Sequence, residues 1–103
     1  MAKKENFKAI NERILADCNP DVVFYACNGA VIRNIYELAS TIESLQDDAF
    51  SYHVNQEKND FANWVNDILG DGQLAKKLKG IKNRKKYAET IRKRIKELES
   101  TKA

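Results

Sequence analysis

A single β-signal interrupts a chain whose apolar residues otherwise recur at helical spacing. Val22-Val23-Phe24-Tyr25-Ala26-Cys27 is a β-branched and aromatic run, and Ala30-Val31-Ile32-Arg33 follows it across Asn28-Gly29. Asn-Gly between two apolar runs is the strongest short-range hairpin signal, because a type I′ turn needs positive φ at both central positions. An isolated two-stranded hairpin is not stable in water, so its apolar face must lie against helices. The expected fold class is therefore α+β, mostly α: one β-hairpin (about residues 22–33) packed on several short helices, plus a long basic C-terminal helix. The length of 103 residues suits one domain. Within it we expect a compact body over residues 1–80 and an amphipathic helix over residues 81–100.

The helices are marked by stripes and caps. Phe7, Ile10, Ile14, Leu15 and Cys18 keep helical spacing from Asn6 to Cys18, with Pro20 at or beyond the end. Asn34, with Glu37 three residues later, is a near capping box ahead of Ile35, Leu38, Ala39, Ile42 and Leu45. Asp47 or Asp48 opens a short turn carrying Phe50 and Val54, and Asn55 to Asn59 is a polar connection. Asn59 or Asp60 caps the next helix, whose face is Phe61, Trp64, Val65, Ile68 and Leu69; Gly70 then suits a left-handed stop. Leu74, Leu78, Ile81, Ala88, Ile91, Ile95 and Leu98 keep a period near seven, with one long helix expected from about Ile81. The neighbours of Trp64 at helical spacing are apolar, which makes it a core residue.

Charge divides the chain unequally. Residues 1–75 hold 6 Lys/Arg against 12 Asp/Glu, whereas residues 76–103 hold 12 against 3. Between Lys76 and Lys96 the basic residues are Lys76, Lys77, Lys79, Lys82, Arg84, Lys85, Lys86, Arg92, Lys93, Arg94 and Lys96, opposed by Glu89 alone. Like charge concentrated on one helix repels itself, and a partner or counter-surface would relieve it. Four readings compete. The helix tracks a phosphate backbone, with Tyr87 as the only aromatic for stacking. Its stripe of Ile81, Ala88, Ile91, Ile95 and Leu98 joins a second chain. It folds back on the acidic body. Or it is a solvated face and nothing more. A membrane surface is not expected, because the stripe carries no Trp or Phe.

The stretch His53-Val54-Asn55-Gln56-Glu57-Lys58-Asn59-Asp60-Phe61-Ala62-Asn63-Trp64-Val65, continuing to Leu69-Gly70-Asp71 and Leu74-Ala75, is specific. It resembles a recurrent domain of unknown function in archaeal and bacterial proteins, in which a hairpin and a helix precede an HVN…NDFANW…GD..LA signature. Phe24-Tyr25, Gly29 and Leu38-Ala39 fit the same pattern. The resemblance covers about residues 22–75 and leaves the basic segment after Ala75 outside. It implies a shared scaffold and carries over no catalytic residue.

Little in the remaining chemistry suggests catalysis. His53, close in sequence to Asn55, Asn59, Asp60 and Asp67, is the one side chain with an ordinary pKa near neutrality. Either it serves a small catalytic or ligand site with Asp60, or His53 and Asn55 hydrogen-bond loop backbone and hold the connection. Asp67 to Gly72 fails as a calcium loop, because Leu69 and Leu78 fall where oxygen ligands are needed. Cys18 and Cys27 lack CxxC spacing and read as buried thiols. No cofactor is expected. No apolar run approaches the ~20 residues that span a bilayer, and the polar start at Met1-Ala2-Lys3-Lys4 lacks the apolar stretch of a signal peptide. The expected location is the cytoplasm. The expected function is a non-enzymatic interaction module presenting its basic helix to a macromolecular partner, or else a sequence-independent nucleic-acid binder.

Overall fold

The computed structural model describes residues 2–100, with side chains from Lys8 onward. The chain runs through α1 (Ala2–Leu15), a 3-10 turn (Pro20–Val22), β1 (Phe24–Tyr25), β2 (Val31–Ile32), α2 (Ile35–Ser44) and α3 (Asp47–His53). It continues with α4 (Asp60–Trp64), a π turn (Val65–Leu69), α5 (Gly72–Leu78) and α6 (Arg84–Ser100). The mostly helical α+β class is as expected. Helix α1 begins earlier than Asn6, through the good helix formers Ala2 to Glu5. Its Ile14 and Leu15 are buried and Ile10 stays exposed. Phe7, expected on the same stripe, lies outside the described side chains.

The hairpin pairs Phe24 with Ile32 and Tyr25 with Val31, antiparallel. Side chains alternate across a strand, so Phe24 and Ile32 face the helices while Tyr25 and Val31 face out. The Phe24 ring meets Phe61 at 4.9 Å and Trp64 at 6.0 Å between centroids. The Trp64 indole N–H donates to the Val22 carbonyl at 2.8 Å, which seats this core tryptophan.

The turn differs from the expected two-residue type I′ form. Gly29 has φ +93°, and among the described residues no non-glycine has positive φ. The Gly29 N–H donates to Ala26 O and the Ala26 N–H to Ala30 O, both at 2.9 Å, so the loop is Cys27-Asn28-Gly29. Asn28 Oδ1 accepts the Ala30 N–H at 3.0 Å. An Asn side chain that closes its own local turn leaves only the glycine to turn left-handed, as in a three-residue hairpin. This loop also puts Cys27 at the exposed tip; Cys18 is only half-buried. The expectation of two buried thiols is therefore corrected. Burial pushes the Cys18 thiol up from its ordinary value.

Caps set the helix boundaries. Asn34 Oδ1 accepts the Glu37 N–H, while Glu37 Oε1 accepts the Arg33 N–H, both at 2.8 Å. Gly70 (φ +77°) closes the π turn. Asn83 Oδ1 accepts the Lys86 N–H at 2.8 Å and starts α6 at Arg84, later than Ile81. Leu74 and Leu78 consequently belong to α5, and the sevenfold period is shared by two helices. Helix α6 lies along α2 in the most extensive interface of the molecule. Tyr87, Ala88, Ile91, Ile95 and Leu98 are buried there in the common core, and Ile81 packs beside them. The expected oligomer seam is thus occupied within the chain itself. Among the described residues no helix is long and apolar enough to cross a membrane.

Candidate functional site on the C-terminal helix

Residues 53–71 form the junction on which hairpin and α6 both rest. His53 is buried, and its Nε2 accepts the Cys27 backbone N–H at 3.0 Å. An accepting Nε2 carries no proton, so the ring proton sits on Nδ1 and faces Asp60 Oδ2 at 2.9 Å. Lys58 Nζ flanks the same carboxylate oxygen at 3.1 Å. Phe24, Tyr52 and Phe61 close around the imidazole, with centroids 5.3, 5.0 and 4.9 Å away. Cys27, His53 and Asp60 stand in the order of a nucleophile, base and carboxylate. Yet the lone pair such a base would need is engaged with a backbone N–H, and the thiol lies 3.8 Å from Ala49 O. Both ring nitrogens serve to hold the hairpin against α4.

Asn55, Asn59 and Asp71 do the rest of the bracing. Asn55 Oδ1 accepts the Glu57 and Lys58 N–H groups, and its Nδ2 donates to Ser51 O, so it fastens the connection as expected. Asn59 caps α4 by accepting the Ala62 N–H at 3.1 Å. The same oxygen accepts the Tyr87 hydroxyl at 2.6 Å, and Nδ2 donates to Leu78 O at 3.1 Å. Burial pushes the Tyr87 phenol well up from its ordinary value, against the opposing bond to Asn59. Asp71 caps α5 by accepting the Leu74 N–H at 3.1 Å. It also accepts two bonds from Arg94, at 2.8 Å from Nε and 3.1 Å from Nη2. Its side chain is 2% exposed and that of Arg94 13%, which makes this a buried, bidentate ion pair. Burial opposes charge on Arg94, but Asp71 and then Glu97 outweigh it and hold the guanidinium above its ordinary value.

The other basic residues divide by type. Arg84 donates to Asp47 Oδ1 at 3.1 Å and to the carbonyls of Ile42 and Glu43, which end α2. Arg92 grips both Glu43 oxygens at 2.9 Å and reaches Ser40. The hydrogen bond from Arg92 lowers the Glu43 carboxyl below its ordinary value. All three α6 arginines therefore bind the body. A rigid planar donor fork suits such fixed pairing, whereas an ammonium is compact and strongly hydrated. Lys85, Lys86, Lys93 and Lys96 are exposed, and among the described residues none of them has a carboxylate partner. Lys76, Lys77 and Lys79 are exposed on and just after α5, and Lys82 donates to Asn55 O at 3.5 Å. A groove of about 590 Å³ along α6 includes Ala88 in its lining. Lys85, Glu89, Lys93 and Lys96 line it, and the Arg92–Glu43 clamp and Arg84 form its border.

Sequence reasoning grouped eleven basic residues into one site; the structure places three of them inward. It missed Asn59, Asp71 and Tyr87 as anchors of α6. The available signal was the arginine–lysine distinction, since the arginines at 84, 92 and 94 are the ones that bind carboxylates. Among the described residues no three His, Cys, Asp or Glu side chains gather as an ion site would require.

Fold and junction together define a small α+β domain in which a hairpin and a C-terminal helix are braced on one helical corner. Residues 18–98 match the model of a family of unknown function (DUF5752), and the chain belongs to that family. No curated protein and no solved structure matches it. The family region extends past Ala75, where the resemblance was expected to stop, and takes in nearly all of α6. Within that region Asn59 and Asp71 bond Tyr87 and Arg94, which ties the body to α6.

Proposed function

We propose that the chain is a non-enzymatic interaction module that presents the outer face of α6 to an acidic macromolecular partner in the cytoplasm. The observation that carries this reading is the division of labour on α6. The arginines are bonded to the body, while Lys85, Lys93 and Lys96 line an open groove without carboxylate partners among the described residues. Burial of the Ile91–Leu98 stripe in the core favours this over self-association through the helix. A catalytic site at His53 and Asp60 has less support, because both imidazole nitrogens are engaged in bracing.

Retention on a polyanionic resin such as immobilised heparin, eluted with salt, tests the reading. The wild type should elute later than Lys85→Gln/Lys93→Gln/Lys96→Gln, and Lys8→Gln on α1 should elute close to the wild type. Equal elution of the triple variant and the wild type would exclude the α6 face.

A further inference from the structure

We infer that the outer face of α6 binds the phosphate backbone of a nucleic-acid duplex without reading its sequence. This rests on the reading above and names the partner. Before its last turn, the exposed positions of α6 are all charged: Lys85, Lys86, Glu89, Lys93 and Lys96. Tyr87 is buried and Ala88 nearly so, which leaves the face no large aromatic or aliphatic side chain as an anchor. Protein interfaces centre on such anchors and are depleted in lysine, whereas phosphate contacts need neither apolar core nor fixed geometry.

The same inventory selects the duplex and removes base readout. Stacking of single-stranded bases needs exposed aromatic rings, and the one ring of α6 is in the core. The planar fork best suited to guanine is the guanidinium, and Arg84, Arg92 and Arg94 are bonded to Asp47, Glu43 and Asp71; the lysines left free are flexible point charges that favour phosphate contacts over fixed base geometry. What remains is a row of point charges. Lys85 to Lys96 spans about 16 Å of helix axis at ~1.5 Å per residue. A duplex presents about nine charges over that length. The clamps also matter electrostatically, because they neutralise the body carboxylates beside α6 and leave Glu89 as the opposing charge in the groove.

Fluorescence anisotropy with short labelled duplexes of two unrelated sequences tests this across ~50 to ~200 mM salt. The matching single strand and poly-glutamate serve as comparison polyanions. Both duplexes should bind in the micromolar range at the low end, within about threefold of each other, with a log–log salt slope near −3. The triple lysine variant should lose about tenfold or more and flatten the slope. Glu89→Gln should instead tighten binding a few-fold (about 2–4), a gain that damage to the fold would not produce. Tighter binding of the single strand overturns the duplex assignment, and a strong preference between the two sequences overturns the absence of readout. Binding of poly-glutamate without duplex overturns this inference and leaves the general reading standing. Failure of every polyanion to bind overturns both.

Discussion

On the flank of α6 that meets the body, Arg84, Arg92 and Arg94 reach carboxylates from α3, α2 and the cap of α5. On the flank that meets solvent, Lys85, Lys93 and Lys96 reach none among the described residues. Both flanks are basic, yet one attaches the helix and the other leaves charge available. Net charge alone cannot separate these uses. The guanidinium tolerates burial and pairs in a fixed plane; the ammonium keeps its hydration and stays outside.

Disrupting the inner flank should have the largest effect. Asp71→Ala removes the α5 cap and leaves Arg94 buried without its main partner, so stability should fall by about 3–5 kcal/mol in urea unfolding. A fall below ~1 kcal/mol would show that the pair contributes little to holding α6. Arg92→Gln acts on a half-exposed pair, and solvent screening should keep its cost below ~1 kcal/mol at pH 7. That cost should depend on pH in a defined direction. The folded Glu43 carboxyl lies below its ordinary value, so the clamp contributes fully above the usual ~4.3 and is lost as pH falls through the lower folded value. Wild type and Arg92→Gln should therefore converge in stability as pH falls below the ordinary carboxylate range. The smallest effect belongs to the outer flank. Lys85→Gln/Lys93→Gln/Lys96→Gln should change stability by no more than ~0.5 kcal/mol per site while altering polyanion binding. A larger loss would mean that these lysines also support the fold.

Local features were legible in the sequence because their causes are local. Asn34, Asn59 and Gly70 announce helix ends through bonds spanning a few residues, and the apolar stripes announce which faces are buried. The hairpin was found from Asn28-Gly29, but its loop type was not, since Asn28 chose a side-chain bond over a left-handed backbone. The start of α6 was displaced because a repeat running through Leu74, Leu78 and Ile81 hid the cap at Asn83. The candidate site was legible as a charge cluster and not as two flanks. Arg92 and Glu43 are 49 residues apart and Arg94 and Asp71 are 23 apart, beyond any periodicity along one helix. The exposure of Cys27 likewise depends on which way the whole hairpin faces.

Asn59 shows why a side chain of the right shape is not enough at the junction. Its oxygen end receives protons from Ala62 and Tyr87, and its nitrogen end gives one to Leu78. The group therefore has a direction, set by what surrounds it. Aspartate would match its outline atom for atom and still set oxygen against the Leu78 carbonyl, and a half-turn of the amide would oppose hydrogen to hydrogen at Ala62. The corner joining α4, α5 and α6 thus tells apart two isosteres that packing alone would accept equally.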